Sequence, residues 1–512
     1  MSKKHFLLIT ADQWRGDCLS AAGHPVVKTP HLDSLAAQGV RFNKHYAGAT
    51  PCSPARACMY TGLYQMNNRV CVNGSPLDKR HDTLALAFRR LGYDPTMFGY
   101  TDQAPDPRGL PALDPVLTSY EGLLPGFNWR VSLPDHQRPW LSWLEQQGYE
   151  GALASNSMHT PAAGVDDPPK SAAPQYRAEH TETAFMVNEF DRWLGEQSHA
   201  MASDDDHRWF AHVSFLRPHP PFTVPAPYNT LFSPSDVPAF AGGDDWQKTA
   251  DSHPYLKYAF SVLPKSRFIP GTQGMISDWN TDDLRYIAAC YYGMIAEVDA
   301  QLGRLFDGLK RRGFWDNTVV VFTSDHGEMM GDHGLLGKQG FYDQSYHVPL
   351  IIKTPDQAQR GTVVEHFTES VDLMPTLLNL ADAKLPPHLD GHSVVPFLRG
   401  DTKHDWRTAA HWEFDFRNID TRFAEHSLGL GSSQCNLCVH RADSYKYVHF
   451  GGLPNMLFDL SADPTECDNV INHPDYQFIR VDCAEGMLSW RAEHLDQSLS
   501  YSRITNNGVV NI

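Results

Sequence analysis

Short apolar runs alternate with amphipathic stretches through most of the chain. Runs that read as buried strands occur at residues 6–10, 95–99, 209–215, 318–322 and 349–353. Apolar side chains at helical spacing separate these runs, and the longest such stretch, residues 281–312, stops at Gly313. Alternation of buried strands with helices is typical of parallel strands joined by crossover helices. The pattern therefore predicts an α/β domain with a mostly parallel central sheet flanked by helices.

The pattern changes near residue 400. Residues 445–450 and 456–460 flank a connection that contains two glycines, which predicts an antiparallel hairpin. A final amphipathic helix is predicted at about 484–499, ahead of a polar tail. We expect a larger α/β domain at 1–400 and a smaller C-terminal α+β subdomain with an antiparallel sheet at 401–512.

One long segment, residues 102–177, shows little periodicity and is rich in proline, glycine and aspartate. Irregular segments of this length inside a compact domain often form walls or lids of functional sites. Residues 223–275 are also predicted to be rich in loops.

Composition and charge limit the classes of partner. The 512 residues carry a net charge of −17 and no block of basic residues, so we expect no nucleic-acid partner. No run approaches the roughly 20 apolar residues of a membrane span, and the apolar stretch after the N-terminal lysines is too short for a signal peptide. We therefore expect a cytoplasmic protein without a membrane partner. Nine irregularly spaced cysteines, including Cys435-x-x-Cys438, favour free thiols over a disulfide framework or a zinc site.

The stretch around Cys52 predicts an anion site. Residues 51–54 read Pro-Cys-Ser-Pro and are turn-forming, while residues 55–63 are good helix formers. Cys52 is thus predicted just before a helix N-terminus, where free N–H groups and the helix dipole favour negative charge. Arg56 adds a fixed cation one turn into the helix. The alternative is a buried cysteine in a proline-rich turn.

Two predicted strands end in polar clusters, Asp12-Gln13 and Asp325-His326. The carboxyl ends of parallel strands meet at one crevice, so both clusters can face the same site. Two carboxylates, an amide oxygen and an imidazole suit one divalent cation. Oxygen ligands favour calcium, manganese or magnesium, and the imidazole leaves zinc open. The alternative for each cluster is an aspartate that caps a turn.

Several motifs together carry a family resemblance that runs nearly end to end. They are Asp12-Gln13-Trp14-Arg15, Cys52-x-Pro54-x-Arg56, Gly99-Tyr100-Thr101, Arg217-Pro218-His219-Pro220-Pro221-Phe222, Thr323-Ser324-Asp325-His326-Gly327-Glu328, Gly331-Asp332-His333-x-Leu335-Leu336-Gly337-Lys338, Asp372-Leu373-Met374-Pro375-Thr376 and Leu457-Phe458-Asp459-Leu460-x-x-Asp463-Pro464. With these motifs the chain resembles the sulfatase family of the alkaline phosphatase superfamily. Within it, the chain is most similar to the phosphonate monoester hydrolase/phosphodiesterase group. The resemblance implies an alkaline-phosphatase-like fold.

The resemblance also implies a metal site and a modified nucleophile. Asp12, Gln13, Asp325 and His326 would hold one divalent metal ion, calcium or manganese in the first place. Cys52, converted to formylglycine (3-oxoalanine) by a maturation enzyme, would also bind the metal. One hydroxyl of the hydrated aldehyde would attack phosphorus or sulfur and form a covalent intermediate. Deprotonation of the other hydroxyl would release the product and restore the aldehyde.

Further roles follow from the same resemblance. Arg56 would steady the formylglycine oxygen, while Lys338 and His219 would neutralise substrate oxygens and protonate the leaving group. Asn73 and Tyr100 match positions that line the substrate pocket. Without the resemblance, Lys338 would read as a solvated charge, His219 and Asn73 as turn residues, and Tyr100 as core.

Two departures from the family pattern bear on the substrate. Typical sulfatases carry a lysine and a histidine in a Gly-Lys-Trp-His stretch, where this chain has Tyr100-Thr101-Asp102-Gln103-Ala104. Loss of two cationic contacts favours the phosphodiesterase-like group. Within that group the position of Asp102 is typically threonine. A carboxylate there would repel a doubly charged phosphate monoester and favour singly charged diesters, phosphonate monoesters or sulfate esters.

The expected function is hydrolysis of phosphonate monoesters and phosphodiesters that depends on formylglycine and a metal ion, with promiscuous sulfate ester hydrolysis. The closest alternative is an arylsulfatase with the same residues. A two-metal phosphatase or pyrophosphatase and a non-catalytic binding protein are further alternatives. The expected partners are a small anionic ester, a formylglycine-generating maturation enzyme and further copies of the chain in a homo-oligomer, a dimer or tetramer.

Overall fold

The computed structural model describes residues 4–133, 137–154, 158–162, 173–204, 206–243, 245–356, 358–401 and 405–511. The strands in this part of the chain are β1 (His5–Ala11), β2 (Val40–Tyr46), β3 (Ala49–Thr50), β4 (Pro95–Gly99), β5 (Asn128–Ser132), β6 (Phe210–Phe215), β7 (Thr318–Thr323), β8 (Leu350–Lys353), β9 (Thr362–Glu369), β10 (Ala409–Asp415), β11 (Asn436–Ala442), β12 (Tyr445–Phe450), β13 (Met456–Asp459), β14 (Ser502–Thr505) and β15 (Gly508–Asn511). The helices are α1 (Pro30–Gln38), α2 (Cys52–Thr61), α3 (Gln65–Asn68), α4 (Leu84–Arg90), α5 (Arg138–Gln146), α6 (Glu182–Ser203), α7 (Trp246–Ser252), α8 (Pro254–Ser261), α9 (Thr281–Arg311), α10 (Asp343–Tyr346), α11 (Leu373–Leu380), α12 (Val395–Leu398), α13 (Phe423–Leu428) and α14 (Gln477–Glu493).

An eight-stranded sheet with the order β5-β4-β6-β1-β7-β8-β2-β9 forms the centre of the fold. Its strands pair in parallel except for β8, which is antiparallel to both β7 and β2. The predicted mostly parallel central sheet is confirmed. Every residue of β1 is buried, as expected of a strand with parallel neighbours and covered faces.

Side chains of β1 alternate between two apolar cores, one on each face of the sheet. Leu7 and Ile9 belong to the core that includes residues of α6 and α9, whereas Phe6 and Leu8 belong to the core that includes residues of α4 and α11. This two-sided burial explains why the strand reads as an unbroken apolar run instead of an alternating one.

A second sheet, with the order β13-β12-β11-β10-β3, contains the C-terminal strands. Strands β10 to β13 pair antiparallel, which confirms the predicted C-terminal antiparallel sheet. The short strand β3 comes from the N-terminal part of the chain and pairs in parallel with β10. The second sheet thereby holds the chain immediately before Cys52.

The predicted C-terminal helix at 484–499 is wrong in its boundaries. Helix α14 spans Gln477–Glu493, because it starts after a turn that contains Pro474. The predicted polar tail contains the hairpin of β14 and β15, with Ile504 85% exposed. Helices α7 and α8 lie within residues 223–275, which the sequence predicts to be rich in loops. No helix in the described ranges is long and apolar enough to cross a bilayer.

Candidate active site

The two polar clusters meet at one edge of the central sheet. Asp12 directly follows β1, and Asp325 lies two residues beyond the end of β7. Since β1 and β7 are parallel neighbours, with Thr10 opposite Thr323, their carboxyl ends lie side by side. The backbone N–H of Gln13 donates a hydrogen bond to Asp325 Oδ1 at 3.2 Å.

Cys52 is the first residue of α2, where the sequence had predicted a position just before the helix. Its Sγ lies 3.3 Å from His326 Nε2. Lys338 Nζ donates to this Sγ at 3.0 Å and to Gln13 Oε1 at 2.8 Å. Residue 52 is therefore buried against both polar clusters. The anion site predicted at this position stays a prediction.

The donor atoms fit a divalent cation. One ligand atom from each of Asp12, Cys52, Asp325 and His326 lies within 4.8 Å of the others, and all four residues are buried. Asp12 Oδ1 is buried without a hydrogen-bond partner. A buried carboxylate oxygen without a donor needs a cation to offset its desolvation, and two carboxylates with an imidazole supply suitable ligands.

His326 presents a lone pair to this cluster. Its Nδ1 lies 3.0 Å from the carbonyl oxygen of Gly327, which can only accept, so Nδ1 carries the proton. Burial lowers the pKa of His326 to about 4, and the ring is neutral near pH 7. Gly327 is required beside it, because a Cβ there would overlap the carbonyl oxygen of Gln344.

Arg56 is fully buried and binds both carboxylates. Its guanidinium donates to Asp325 Oδ2 at 2.8 Å and to Asp12 Oδ2 at 3.2 Å. A further donor atom bonds Ser214 Oγ at 2.8 Å, at the end of β6. Arg56 thus offsets part of the negative charge in the cluster, and its predicted role toward residue 52 stays a prediction.

Lys338 remains charged although it is partly buried. Burial alone would lower its pKa, but the negative charges beside it, those of Asp12 and Asp325, raise the pKa of Lys338. The same burial, with the charge of Asp12 beside it, raises the pKa of the Cys52 thiol well above its ordinary value. An unmodified residue 52 is therefore a protonated thiol at neutral pH and a poor nucleophile.

His219 faces the same cavity as an uncharged ring. Its Nδ1 lies 2.7 Å from the carbonyl oxygen of Pro220, which fixes the proton on Nδ1. Burial and the nearby charge of Lys338 lower the pKa of His219 well below its ordinary range. Its Nε2 therefore carries a lone pair, and the predicted donation of a proton to the leaving group requires this nitrogen to gain one first.

The cluster opens into a cavity of about 370 Å³. The described residues that line it are Asp12, Cys52, Asn73, Tyr100, Asp102, Tyr120, Glu121, Leu133, Gln137, Trp140, Leu141, Met158, His159, Leu216 and His219. The predicted substrate residues Asn73, Tyr100 and Asp102 are thus brought together. Asn73 Oδ1 also accepts from the backbone N–H of Ser53 at 3.0 Å, and Tyr100 OH donates to Asp12 Oδ2 at 2.8 Å.

Asp102 is 4% exposed and lies 3.7 Å from Arg56 Nε. Burial, opposed by Arg56 and reinforced by Asp12 and Glu121, raises the pKa of Asp102 to about 8. Below that pH the side chain is mainly a neutral carboxylic acid that can donate a hydrogen bond. Repulsion of a doubly charged ester, as expected from the sequence, requires the ionised form and therefore applies above pH 8.

Sequence reasoning gave no role to Glu328. This buried side chain accepts from the backbone N–H groups of Met330 and Gly337 at 3.0 and 2.5 Å and from Gln13 Nε2. It thereby fixes the amide of Gln13 so that Oε1 points at Lys338. The sequence does contain a signal for this role, since Glu328 belongs to the same motif as Asp325. The contact between Glu328 and Gln13, however, depends on the order of the strands in the sheet, which the motif does not specify.

Comparisons with known proteins agree with this geometry. The sulfatase family model matches residues 4–383, and the model of the C-terminal part of N-sulphoglucosamine sulphohydrolase matches residues 331–493. The multifunctional alkaline phosphatase superfamily protein PehA of Trinickia caryophylli is 37% identical over 516 residues, 99% of each chain.

Two solved structures share the fold along their full length. The phosphonate monoester hydrolase of Agrobacterium radiobacter is 54% identical, with a TM-score of 0.94 over 99% of both chains. The phosphonate monoester hydrolase SpPMH of Silicibacter pomeroyi is 35% identical, with a TM-score of 0.92 over 100% of this chain and 99% of that one. The chain is an ester hydrolase that belongs to the sulfatase family of the alkaline phosphatase superfamily.

Proposed function

We propose that this protein hydrolyses phosphonate monoesters and phosphodiesters with the help of formylglycine and a metal ion, and that it hydrolyses sulfate esters more slowly. The observation that carries the proposal is the position of residue 52, whose Sγ lies within 4.8 Å of ligand atoms of Asp12, Asp325 and His326. Similarity to two phosphonate monoester hydrolases supports the order of substrates.

One divalent ion, calcium or manganese before zinc or magnesium, would be held by Asp12, Gln13, Asp325 and His326 together with residue 52. When bound, such an ion polarises the attacking and substrate oxygens and offsets developing negative charge. Two groups of the chain are suited to bind this ion: the Oδ1 atom of Asp12, which has no hydrogen-bond partner, and the imidazole lone pair of His326.

Formylglycine at position 52 would supply a hydrated aldehyde whose hydroxyl is the nucleophile. The unmodified thiol is unsuited to this task, because burial raises its pKa well above the ordinary value. Formation of the aldehyde is a two-electron oxidation of Cβ in which water supplies the carbonyl oxygen and the sulfur leaves as sulfide. We therefore propose a maturation enzyme that passes the two electrons to an external oxidant such as molecular oxygen. The Cys52-x-Pro54-x-Arg56 motif supports this partner.

The side chains around residue 52 would neutralise charge, transfer protons and position the carboxylates. Lys338 Nζ, 3.0 Å from Sγ, neutralises charge on the attacking group and on a substrate oxygen. His219 Nε2 carries a lone pair inside the cavity, where it accepts a proton and later returns one to the leaving oxygen. Arg56 donates hydrogen bonds to Asp12 and Asp325 and holds both carboxylates in place.

The test compares kcat/KM for an aryl phosphonate monoester, an aryl phosphodiester, an aryl sulfate and an aryl phosphate, using protein co-expressed with a formylglycine-generating enzyme. We expect the first two to be hydrolysed most efficiently and Cys52→Ala to lose about 1,000-fold or more. Cys467→Ala is the control, since Cys467 is exposed and belongs neither to the cluster nor to the described cavity lining. A strong preference for the sulfate would make the protein an arylsulfatase, and full activity of Cys52→Ala would overturn the proposal.

We further propose that the chain forms a homo-oligomer, a dimer or tetramer, through its C-terminal segment. Phe478 and Leu488 on α14 are 84% and 68% exposed, and Ile504 on β14 is 85% exposed. Exposed apolar side chains concentrated in one segment are characteristic of contact surfaces between subunits.

All nine cysteines are free, which supports a reducing compartment such as the cytoplasm.

A further inference from the structure

Part of the cavity lining is apolar. Five side chains, here called the alcohol wall, form this part: Leu133, Trp140, Leu141, Met158 and Leu216. The first four are at most 6% exposed, so the wall is continuous with the protein core. We propose that this wall binds the leaving alcohol of the ester and selects an apolar, ring-sized alcohol without negative charge. The proposal rests on the proposed ester hydrolysis and specifies its substrate class.

Position supports the assignment. The same cavity is lined by Cys52, His219 and the alcohol wall, and the backbone N–H of His219 donates to the carbonyl oxygen of Leu216 at 3.0 Å. A leaving oxygen that receives its proton from His219 therefore lies beside the wall. The volume of about 370 Å³ accommodates a tetrahedral acid group together with one ring.

The wall is rigid before substrate arrives. Trp140 Nε1 donates to the carbonyl oxygen of His180 at 3.0 Å, which fixes the plane of the indole. The ring of His159 stacks on Trp140 with centroids 5.1 Å apart and an interplanar angle of 16°. A preformed apolar surface binds a rigid ring without the cost of ordering the protein side chains.

The described lining of the cavity contains no lysine or arginine, and its carboxyl groups are those of Asp12, Asp102 and Glu121. The cation behind the wall, Arg217, pairs with Glu182 at 2.9 Å and donates to His159 Nδ1 at 2.9 Å. His159 is consequently a neutral ring, and its Nε2 donates to Gln137 Oε1 at 3.1 Å.

These contacts imply that the wall discriminates against leaving alcohols that carry a negative charge. An anionic group on the alcohol would lose its hydration against the apolar side chains of the wall, and the described residues that line the cavity offer it no lysine or arginine. A neutral ring of equal size would lose no such hydration. Discrimination therefore acts on the leaving group, separately from recognition of the phosphorus or sulfur centre.

The experiment uses two methylphosphonate esters of matched size, those of 3-hydroxybenzamide and 3-hydroxybenzoate. We expect the wild-type protein to show a kcat/KM at least about 10-fold higher for the amide, since a buried charge without a partner costs more than a missing apolar contact. Gln137→Lys places a cation on the cavity lining and is expected to reduce this ratio about 10-fold. Gln147→Lys, at the exposed end of the same helix, is the matched control and should keep the wild-type ratio.

Hydrolysis of both esters at equal kcat/KM would overturn the proposal, as would the same ratio in Gln137→Lys and Gln147→Lys. Binding of the two free alcohols to the resting protein, measured by ligand-observed NMR, tests the wall without turnover. We expect 3-hydroxybenzamide to bind more tightly than 3-hydroxybenzoate and Trp140→Ala to weaken its binding about 10-fold. Failure of ester hydrolysis with this binding difference intact would contradict the proposed function and leave the wall supported. Equal binding of both alcohols would overturn the wall.

Discussion

At the scale of single residues, the site combines groups that are unfavourable when buried alone. Asp12 and Asp325 are stabilised by Arg56, and Lys338 retains its charge because carboxylates surround it. Each side chain therefore depends on the others, and single substitutions at the site are expected to be non-additive. The burial of so many charges is unfavourable for folding and is typical of a site built for chemistry.

Replacement of Lys338 tests whether its positive charge stabilises the reacting oxygens. Lys338→Ala removes the donor that lies 3.0 Å from Cys52 Sγ, and we expect kcat to fall about 100-fold or more, because charge on the attacking and leaving oxygens is no longer offset. Steady-state kinetics on the phosphonate monoester measures this. Lys384→Ala, at an exposed position outside the cavity, should behave like the wild type. Unchanged kcat in Lys338→Ala would contradict the role.

Replacement of Asp102 tests whether the ionisation of this side chain controls the pH dependence of kcat/KM. Its pKa is raised to about 8, so the side chain is a neutral donor below this pH and an anion above it. We expect kcat/KM of the wild type for an anionic ester to fall above pH 8, and Asp102→Asn to keep its activity there. The two pH profiles should run parallel below pH 7, and an identical alkaline fall in both proteins would refute the role of Asp102.

The closeness of Asp12 and Asp325 could be predicted from the sequence, because Asp12 directly follows β1 and Asp325 lies two residues beyond the end of β7. Asp12 and Asp325 lie next to apolar runs, and parallel pairing places strand ends together. The amide contact of Glu328 and the tautomer of His219 could not be predicted. They depend on the carbonyl and amide groups that the fold brings near, and a linear motif does not specify those neighbours.

At the scale of elements, the two sheets are joined by a buried ionic contact at the end of β9. Glu369 accepts from the backbone N–H of His411 on β10 at 2.6 Å, pairs with Arg407 at 3.3 Å and accepts a hydrogen bond from Tyr64 OH. Burial alone would raise its pKa, but Arg407 and these donors lower the pKa of Glu369 to about 2. The carboxylate therefore stabilises the contact between the sheets.

This lowered pKa gives a stability prediction. The pKa of Glu369 in the fold lies below its ordinary value of 4.5, so the stabilisation is complete above about pH 4.5 and is lost as the pH falls toward 2. Its size is about 3 kcal/mol, and Glu369→Gln should lower the free energy of unfolding at pH 7 by a similar amount. Urea denaturation at pH 7 and pH 4 measures both effects. Glu365→Gln, exposed on the same strand, should change it by under about 0.5 kcal/mol, and equal effects of both variants would contradict the prediction.

Elements of the central sheet were predictable where burial is two-sided, as in β1 and β7 with their continuous apolar runs. Strand β9 was not predicted, because its first half is partly exposed and its sequence mixes polar and apolar residues. Helix α14 was displaced in the prediction by about seven residues. Its apolar side chains occur on both the buried and the exposed face, so their spacing does not mark the helix ends.

At the scale of the whole molecule, the C-terminal segment gives a prediction about assembly. Phe478 is 84% exposed in the single chain, so Phe478→Asp should leave the monomer folded. If α14 lies in a contact between subunits, a buried charge there shifts the assembly toward smaller species at micromolar concentration. Light scattering after size-exclusion chromatography measures the mass. Leu113→Asp, at a 93% exposed position elsewhere, is the control, and equal masses for all three proteins would contradict the predicted contact surface.

The central claim is that turnover depends on an oxidised side chain at position 52. Preparations with different extents of maturation allow a direct measurement, in which kcat per metal-loaded chain is compared with the fraction of formylglycine found at residue 52 by peptide mass spectrometry. The account predicts a straight line through zero, because only the hydrated aldehyde at position 52 supplies the attacking hydroxyl. Turnover that stays constant while the formylglycine fraction varies would contradict it.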